Sequence, residues 1–235
     1  MAKAAAKGKG KKLAEPAAEK VAAAPRLPAG RHGLPREFIA QNQRERIITA
    51  LVDTVAEHGY NATTVAHITK AASVSRRTFY EHFADKEACF LAAYEMVADH
   101  IRDSMRTAAS AFEEWPQQVR AALATMLRFL AGEPDLARVC MIEPIAAGGE
   151  IAAKHRASME GFVEILKAGR PEHGGERPLP EATEATLVGG IVSLIVREIN
   201  GGRTEQLEEL QPDLVELTLA PYLGGEEAAR LAQQS

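Results

Sequence analysis

Cysteine is almost missing from this chain of 235 residues; the two present, Cys89 and Cys140, lie far apart and in no CxxC pairing. That argues against a disulfide framework or a structural zinc site and makes a reducing, cytoplasmic setting the expectation. Long apolar runs are missing too. None approaches the ~18–20 residues of a membrane span, so no membrane partner is expected. The lysine-rich start is not followed by an apolar core of the roughly 7–15 residues a secretory signal needs. Catalytic patterns are equally scarce. The seven histidines (His32, His58, His67, His82, His100, His155 and His173) form no HxxxH or HExxH pair, and there is no GxSxG, GxGxxG or Walker loop. No catalytic residue, metal ligand or cofactor is assigned, and the chain reads as a non-enzyme. Alternating apolar and polar stretches that would mark strands are absent, and so are internal repeats. The fold class read from the sequence is all-α.

What is present is charge, unevenly placed. The net charge is −4, yet residues 1–36 hold nine Lys/Arg against only Glu15 and Glu19. Residues 37–90 hold six basic and seven acidic residues, and residues 91–235 hold 13 and 23. A basic arm ahead of a near-neutral segment and an acidic body points to a polyanion partner at the N-terminal end. A tail that only aids solubility is the alternative. Residues 1–36 carry few large apolar side chains, too few to repay ordering, and read as a disordered basic arm.

From Glu37 onward the spacing is helical. Ile47, Ile48, Leu51, Val52 and Val55 form a stripe ending at Gly59. Thr63 and Thr64 offer caps to a short helix with Val65, Ile68 and Ala72. Ser75 caps a third helix, anchored by Phe79 and Phe83, and Asp85 a fourth, long one with Phe90, Tyr94, Val97, Ile101 and Met105. Pro116 suits a first turn ahead of Val119, Leu123, Leu127 and Leu130. Pro134 opens a short helix that must stop near Glu143, because Pro144 follows. Ile151–Leu166 is amphipathic, and Gly169–Pro180 reads as a loop. Residues 181–199 are apolar nearly all round, and a last helical region is interrupted at Pro212.

The informative stretch is residues 44–96. A short capped helix, a tight turn and a second short helix beginning Ser75-Arg76-Arg77-Thr78 make a helix-turn-helix, with the motif at about 63–83. The amino end of such a second helix enters the major groove, where arginine can take guanine O6 and N7 together. Helix N-termini can grip phosphates. The partner read here is a double-stranded DNA operator.

The same stretch resembles the TetR family of bacterial transcriptional regulators. The matching pieces are Glu57-His58-Gly59-Tyr60, Ala62-Thr63-Thr64-Val65, Ile68, Val74-Ser75, Thr78-Phe79-Tyr80, His82-Phe83 and Asp85-Lys86-Glu87. The resemblance implies a three-helix N-terminal domain over 37–90, with a helix-turn-helix. A long helix joins it to a helical bundle over 91–235 that binds an effector and dimerises. It places Ser75, Arg76, Arg77, Thr78, Tyr80 and His82 on the recognition helix, and Thr64 and Lys86 on phosphates. His82 has an ordinary surface histidine as its alternative reading. Two departures stand out: Thr69 where alanine is usual, and Ser73 where glycine is usual at the turn. The function implied is a ligand-responsive, sequence-specific regulator of transcription. Repression is the commoner mode, on a palindromic site bound by a homodimer. A chromatin-like compactor is a different reading of the basic arm, but an acidic body is not something a compactor needs.

Two further readings concern the C-terminal part. Dimer contact is placed on residues 181–221. Gly189 and Gly190 cost ~1 kcal/mol each against alanine within a helix, so close backbone approach should exploit them, at a dimer contact, a ligand cavity or a plain helix crossing. An unidentified small-molecule effector is placed among Met126, Phe129, Met141, His155, Met159 and Phe162, because a mostly apolar cavity with a few polar groups is the usual ligand site. Plain core is the alternative for each.

Overall fold

The structure, a computed structural model, describes residues 35–170 and 178–234. The disordered-arm reading of residues 1–36 therefore falls almost wholly outside the described residues. Among those described there is no strand, and the helices follow the spacing of the apolar residues. They are α1 (Arg36–His58), α2 (Val65–Ala72), α3 (Arg76–His82), α4 (Lys86–Ala109), α5 (Trp115–Gly132) and α6 (Pro134–Met141). Then come α7 (Glu143–Ala147), α8 (Gly149–Lys167), α9 (Thr183–Asn200), a 3-10 turn (Thr204–Leu210), α10 (Gln211–Leu223) and α11 (Gly225–Ala232).

The local signals explain where these elements start. Thr64 Oγ1 accepts from His67 N at 3.2 Å, Ser75 Oγ from Thr78 N at 2.9 Å and Asp85 Oδ1 from Ala88 N at 2.8 Å. Each cap serves an N–H that has no partner inside its own helix. Pro116, Pro144 and Pro212 all stand in first turns, where the missing N–H costs nothing. At Gly59 the chain leaves α1 with φ +78°, in the region that favours glycine, while its N–H closes on Val55 O at 2.8 Å.

One apolar cluster runs from Ile47, Leu51 and Phe79 through Phe90, Tyr94 and Val97 on α4 to Leu130, Met141, Ile195 and Leu214. The helix-turn-helix and the bundle thus share a core, with α4 crossing the line drawn at residues 90 and 91. A second cluster, with Val119, Leu123, Leu166, Val188, Val215 and Leu219, closes the far end, where α10 and α11 pack on each other and on α5. The short α11 was not anticipated, because Ala228 and Ala232 are too small to give an apolar stripe; both are buried.

Ser73 takes up the conformation glycine usually supplies, with φ 52° and ψ 45°. It is the one non-glycine residue at positive φ among those described. Left-handed backbone costs a residue with a Cβ roughly 1–2 kcal/mol. Ser73→Gly should therefore stabilise the protein by about 1 kcal/mol after the entropy glycine adds to the unfolded chain is deducted. In thermal unfolding that is a rise in Tm of about 2–4 °C. An unchanged or lower Tm would show that the turn is not strained.

Candidate functional site

The second short helix, α3, is fixed by its aromatic underside. Phe79 and Phe83 are buried against α1 and α2, with the Phe79 and Phe83 rings 5.8 Å apart. That leaves Ser75, Arg76, Arg77 and Tyr80 exposed, with Thr78 and His82 half-buried. Thr64, at the amino end of α2, is exposed as well. Arg77 Nε lies 3.0 Å from Glu81 Oε1 one turn on, which holds its long side chain along the helix. His82 Nε2 lies 3.4 Å from Gln43 Oε1, and burial lowers the ring's pKa, so at neutral pH it is uncharged.

The angle between α2 and α3 is held by a side chain that no local pattern marks. Arg46 on α1 donates through Nη2 to the carbonyl of Ala72, with Ser73 O 3.5 Å away, and so pins the turn itself. Thr69 returns its hydroxyl to Val65 O at 2.9 Å. It is buried without an unmet polar group, and the departure from alanine is absorbed within its own helix.

Lys86, the other residue expected at a phosphate, is half-buried and engaged within the protein. Its ammonium donates to Tyr60 O at 2.7 Å and Thr63 O at 2.9 Å, and stands 4.0 Å from the centre of the Tyr60 ring. Burial lowers its pKa. The residue clamps the α1–α2 turn onto the start of α4 and is turned inward, because two carbonyls left open by that turn need a donor.

The same turn is held from the other side. Tyr60 N donates to Glu143 Oε2 at 2.8 Å, and Arg138 Nε lies 3.0 Å from Glu143 Oε1. The carboxylate is buried. Asn61 Nδ2 donates to Ala146 O at 3.2 Å. Glu143 opens α7 directly after α6, so the bundle reaches the helix-turn-helix through a charged group on the short α6–α7 corner.

Behind that corner lies a cavity of about 100 Å³ between α4, α5, α6, α8, α9 and α10. Met126, Met141, Met159 and Phe162 line it, together with Cys140, Ile195 and other apolar side chains. Phe129 and His155 are not among its lining residues. Phe129 is a helical step away from the wall carried by Met126 and Leu130, and its ring faces His100 at 5.4 Å. His155 lies one layer behind, its Nδ1 3.1 Å from the hydroxyl of Tyr94, a residue of the cavity wall. Burial lowers the His155 pKa and raises that of Tyr94, so both are neutral at pH 7. Ser158 Oγ donates to Lys154 O at 3.2 Å, and Arg102, on the cavity's rim, pairs with Asp99 at 2.6 Å. The remaining polar wall residue is Thr218. Burial pushes the Cys140 thiol up to about 12, so it is an apolar wall group and not a nucleophile.

A third buried polar group closes the far end. Glu184, with none of its surface exposed, receives Arg170 in a fork, Nε to Oε1 at 2.7 Å and Nη2 to Oε2 at 2.6 Å. The Tyr222 hydroxyl donates to Oε1 at 2.7 Å. Arg170 also donates to Leu179 O and Pro180 O. These bonds, led by Arg170, hold the Glu184 carboxyl down at about 2. Close by, a Cβ at Gly169 would stand 2.3 Å from the Trp115 ring, so only glycine fits there.

On α9, Gly189 and Gly190 are exposed, and a Cβ at either would meet nothing within 4 Å. Neither lines the cavity. Leu217 on α10 is 58% exposed. Among the described residues no cluster of three metal-ligating side chains occurs, and no helix is long and apolar enough to cross a membrane.

Comparison with known proteins finds the same organisation. The family model described as bacterial regulatory proteins, tetR family, matches residues 47–93. The fatty acid metabolism regulator protein of Bacillus subtilis is 26% identical over 125 residues, which is 52% of this chain and 62% of that protein. The chain thus spans about three fifths of that relative's length. The HTH-type transcriptional repressor AcnR of Corynebacterium efficiens is 27% identical over 189 residues, covering 76% of this chain and 93% of that protein. Among solved structures, the transcriptional regulator FadR from Bacillus subtilis in complex with stearoyl-CoA superposes with a TM-score of 0.63 at 22% identity, over 75% of this chain and 97% of that one. These relatives are named as regulators and not as enzymes.

Proposed function

Because this chain belongs to the TetR family of bacterial regulatory proteins, we propose that it binds a palindromic DNA operator as a homodimer and is released from it by an acyl-CoA. The observation that carries the reading is a short helix fastened by Phe79 and Phe83 that turns Arg76, Arg77 and Tyr80 outward. Ser75, Thr78 and the half-buried His82 complete its reading edge, and Thr64 at the amino end of α2 supplies a phosphate contact. Residues 37–90 are the reading domain, residues 91–235 the effector and dimer domain, and repression is the mode.

A single reading helix reaches few bases. Two-fold symmetry doubles the contacts and fixes the half-site spacing. The open faces of α9 and α10, with Gly189, Gly190 and Leu217 exposed, support dimer contact through residues 181–221. The effector class is supported by the nearly all-apolar wall around Met126, Met141, Met159 and Phe162. The relative solved with stearoyl-CoA has the same fold. Such a wall is chemically suited to an acyl chain, which has to widen the 100 Å³ cavity as it enters, with Tyr94 and Ser158 as polar groups beside it.

The test has two arms. Fragments of genomic DNA selected by the purified protein should share a two-fold symmetric sequence, bound by a species that sediments as a dimer. Saturated acyl-CoAs of graded chain length should then release that DNA. A monomer bound tightly to an asymmetric site would remove the dimer reading, and operator binding indifferent to every acyl-CoA would remove the effector reading.

A further inference from the structure

The amino-terminal end of α1 stands clear of the core. Its first buried side chain is Asn42, while Arg36 and Phe38 ahead of it are exposed. The helix meets the carboxyl end of α3 at Gln43 and Arg44. Gln43 Oε1 lies 3.4 Å from His82 Nε2, and the Arg44 guanidinium stands 5.2 Å from the centre of the Phe83 ring. The residues ahead of Gln43 carry α1 onward by about 10 Å, at 1.5 Å per residue. The bundle is reached at the opposite end, where Tyr60 follows α1 and donates to Glu143. The 23 residues of α1 set those two ends about 35 Å apart. The chain therefore enters the described structure beside the reading helix and away from the Glu143 corner.

Ahead of that entry stand eight of the nine Lys/Arg of residues 1–36, opposed only by Glu15 and Glu19. Two polyanionic surfaces compete for them. The excess acid of residues 91–235 is spread over the whole body. Its buried carboxylates are also taken: Glu143 by Arg138, Glu184 by Arg170, and Glu198 by Arg197 and Arg203. Duplex DNA presents one charge per about 1.7 Å of its axis and has counterions to release.

We propose that the overhanging start of α1 and the basic segment ahead of it form a second DNA contact, on the phosphates that flank each operator half-site. The inference rests on the DNA-binding reading and adds to it how duplex beyond the recognised bases is held. Such a contact gains affinity from counterion release and carries no sequence preference. Reach is sufficient. A chain of 34 residues spans about 50 Å at helical rise and more when extended, against about 34 Å for one turn of duplex.

Wild-type protein should be compared with a full-length variant in which the eight Lys/Arg of residues 1–34 are replaced by glutamine. A second variant keeps those eight charges in permuted order. The probes are an operator fragment obtained by genomic selection, trimmed to the recognised bases, and the same fragment extended by one turn of duplex on each side. At about 50 mM salt wild type and the permuted variant should bind the extended fragment at least about tenfold more tightly, and the glutamine variant should bind the two within about twofold. Two phosphates engaged steepen log K against log salt by about 1.8, so the gain should shrink about tenfold between about 50 and 200 mM salt. Preference for operator over scrambled DNA of equal length should agree within about twofold in all three proteins. A wild-type protein that gains nothing from flanking duplex and shares the salt slope of the glutamine variant overturns the proposal and leaves operator reading by α3 intact. A glutamine variant that binds more tightly overturns it as well, because the segment then lies on the acidic body. A permuted variant that loses the gain overturns contact through phosphate alone. If wild type prefers neither operator fragment to scrambled DNA, the operator reading fails, and a contact flanking the operator fails with it.

Discussion

Arg170→Ala is expected to destabilise the protein by about 3–5 kcal/mol, the cost of stranding one member of a buried ion pair. Glu184 has no exposed surface, and its two oxygens take the Arg170 fork and the Tyr222 hydroxyl. Without the guanidinium the carboxylate stays buried with one phenol donor, and the carbonyls of Leu179 and Pro180 lose theirs. For a domain of this size the fall in Tm should be about 6–20 °C. The sign with pH is fixed as well. The folded carboxyl sits at about 2 against an ordinary 4.5, so its contribution is present above pH 4.5 and lost as pH falls toward 2. The gap between wild type and variant, measured by urea unfolding, should therefore narrow across that window. A gap under about 1 kcal/mol, or one that does not change with pH, would show that the pair does not hold this end of the protein.

The second large effect lies on DNA. Replacing Arg76 or Arg77 by alanine should cost ~1–3 kcal/mol per half-site where that arginine takes guanine in bidentate fashion, and should relax preference at that base pair. In a symmetric complex both half-sites lose it. Arg77 is already held against Glu81 at 3.0 Å, with its side chain 89% exposed. Such an exposed pair adds little stability of its own and yields readily to a stronger partner. Binding measured against a library of operator variants separates the outcomes. Weaker binding with preference intact means contact to phosphate alone. Unchanged affinity and preference in both single variants would show that α3 does not read DNA.

Much of this architecture is legible in the sequence, because helix starts are local events. Thr64, Ser75 and Asp85 each serve an N–H three residues on, and Pro116, Pro134, Pro144 and Gly59 act within one turn. The reading surface follows in the same way, since burying Phe79 and Phe83 leaves Arg76 and Arg77 outside by helical phase alone. What the sequence does not disclose are groups joined across long separations. Arg46 meets Ala72, Lys86 meets Tyr60 and Thr63, Tyr60 meets Glu143, and Tyr222 meets Glu184. Nothing in the spacing of those residues records the meeting. The cavity is an intermediate case. Helical phase puts Met159 and Phe162 on its wall, but His155 shares their face and still misses it, because that turn of α8 packs on Tyr94.

The Glu143 corner gives the two halves of the chain a common thermodynamic term. One carboxylate oxygen serves the turn ahead of the reading helices, the other faces Arg138 on the helix that ends in Cys140 and Met141 at the cavity wall. A molecule that displaces α6 on entering therefore acts on the donor at Tyr60. Linkage then runs both ways. A ligand that loosens the grip on DNA by a given factor is itself held more weakly, by the same factor, while the protein is on DNA. Under the proposed function, free protein would be a sink for the ligand, and operator occupancy would tune the concentration at which the ligand is sensed.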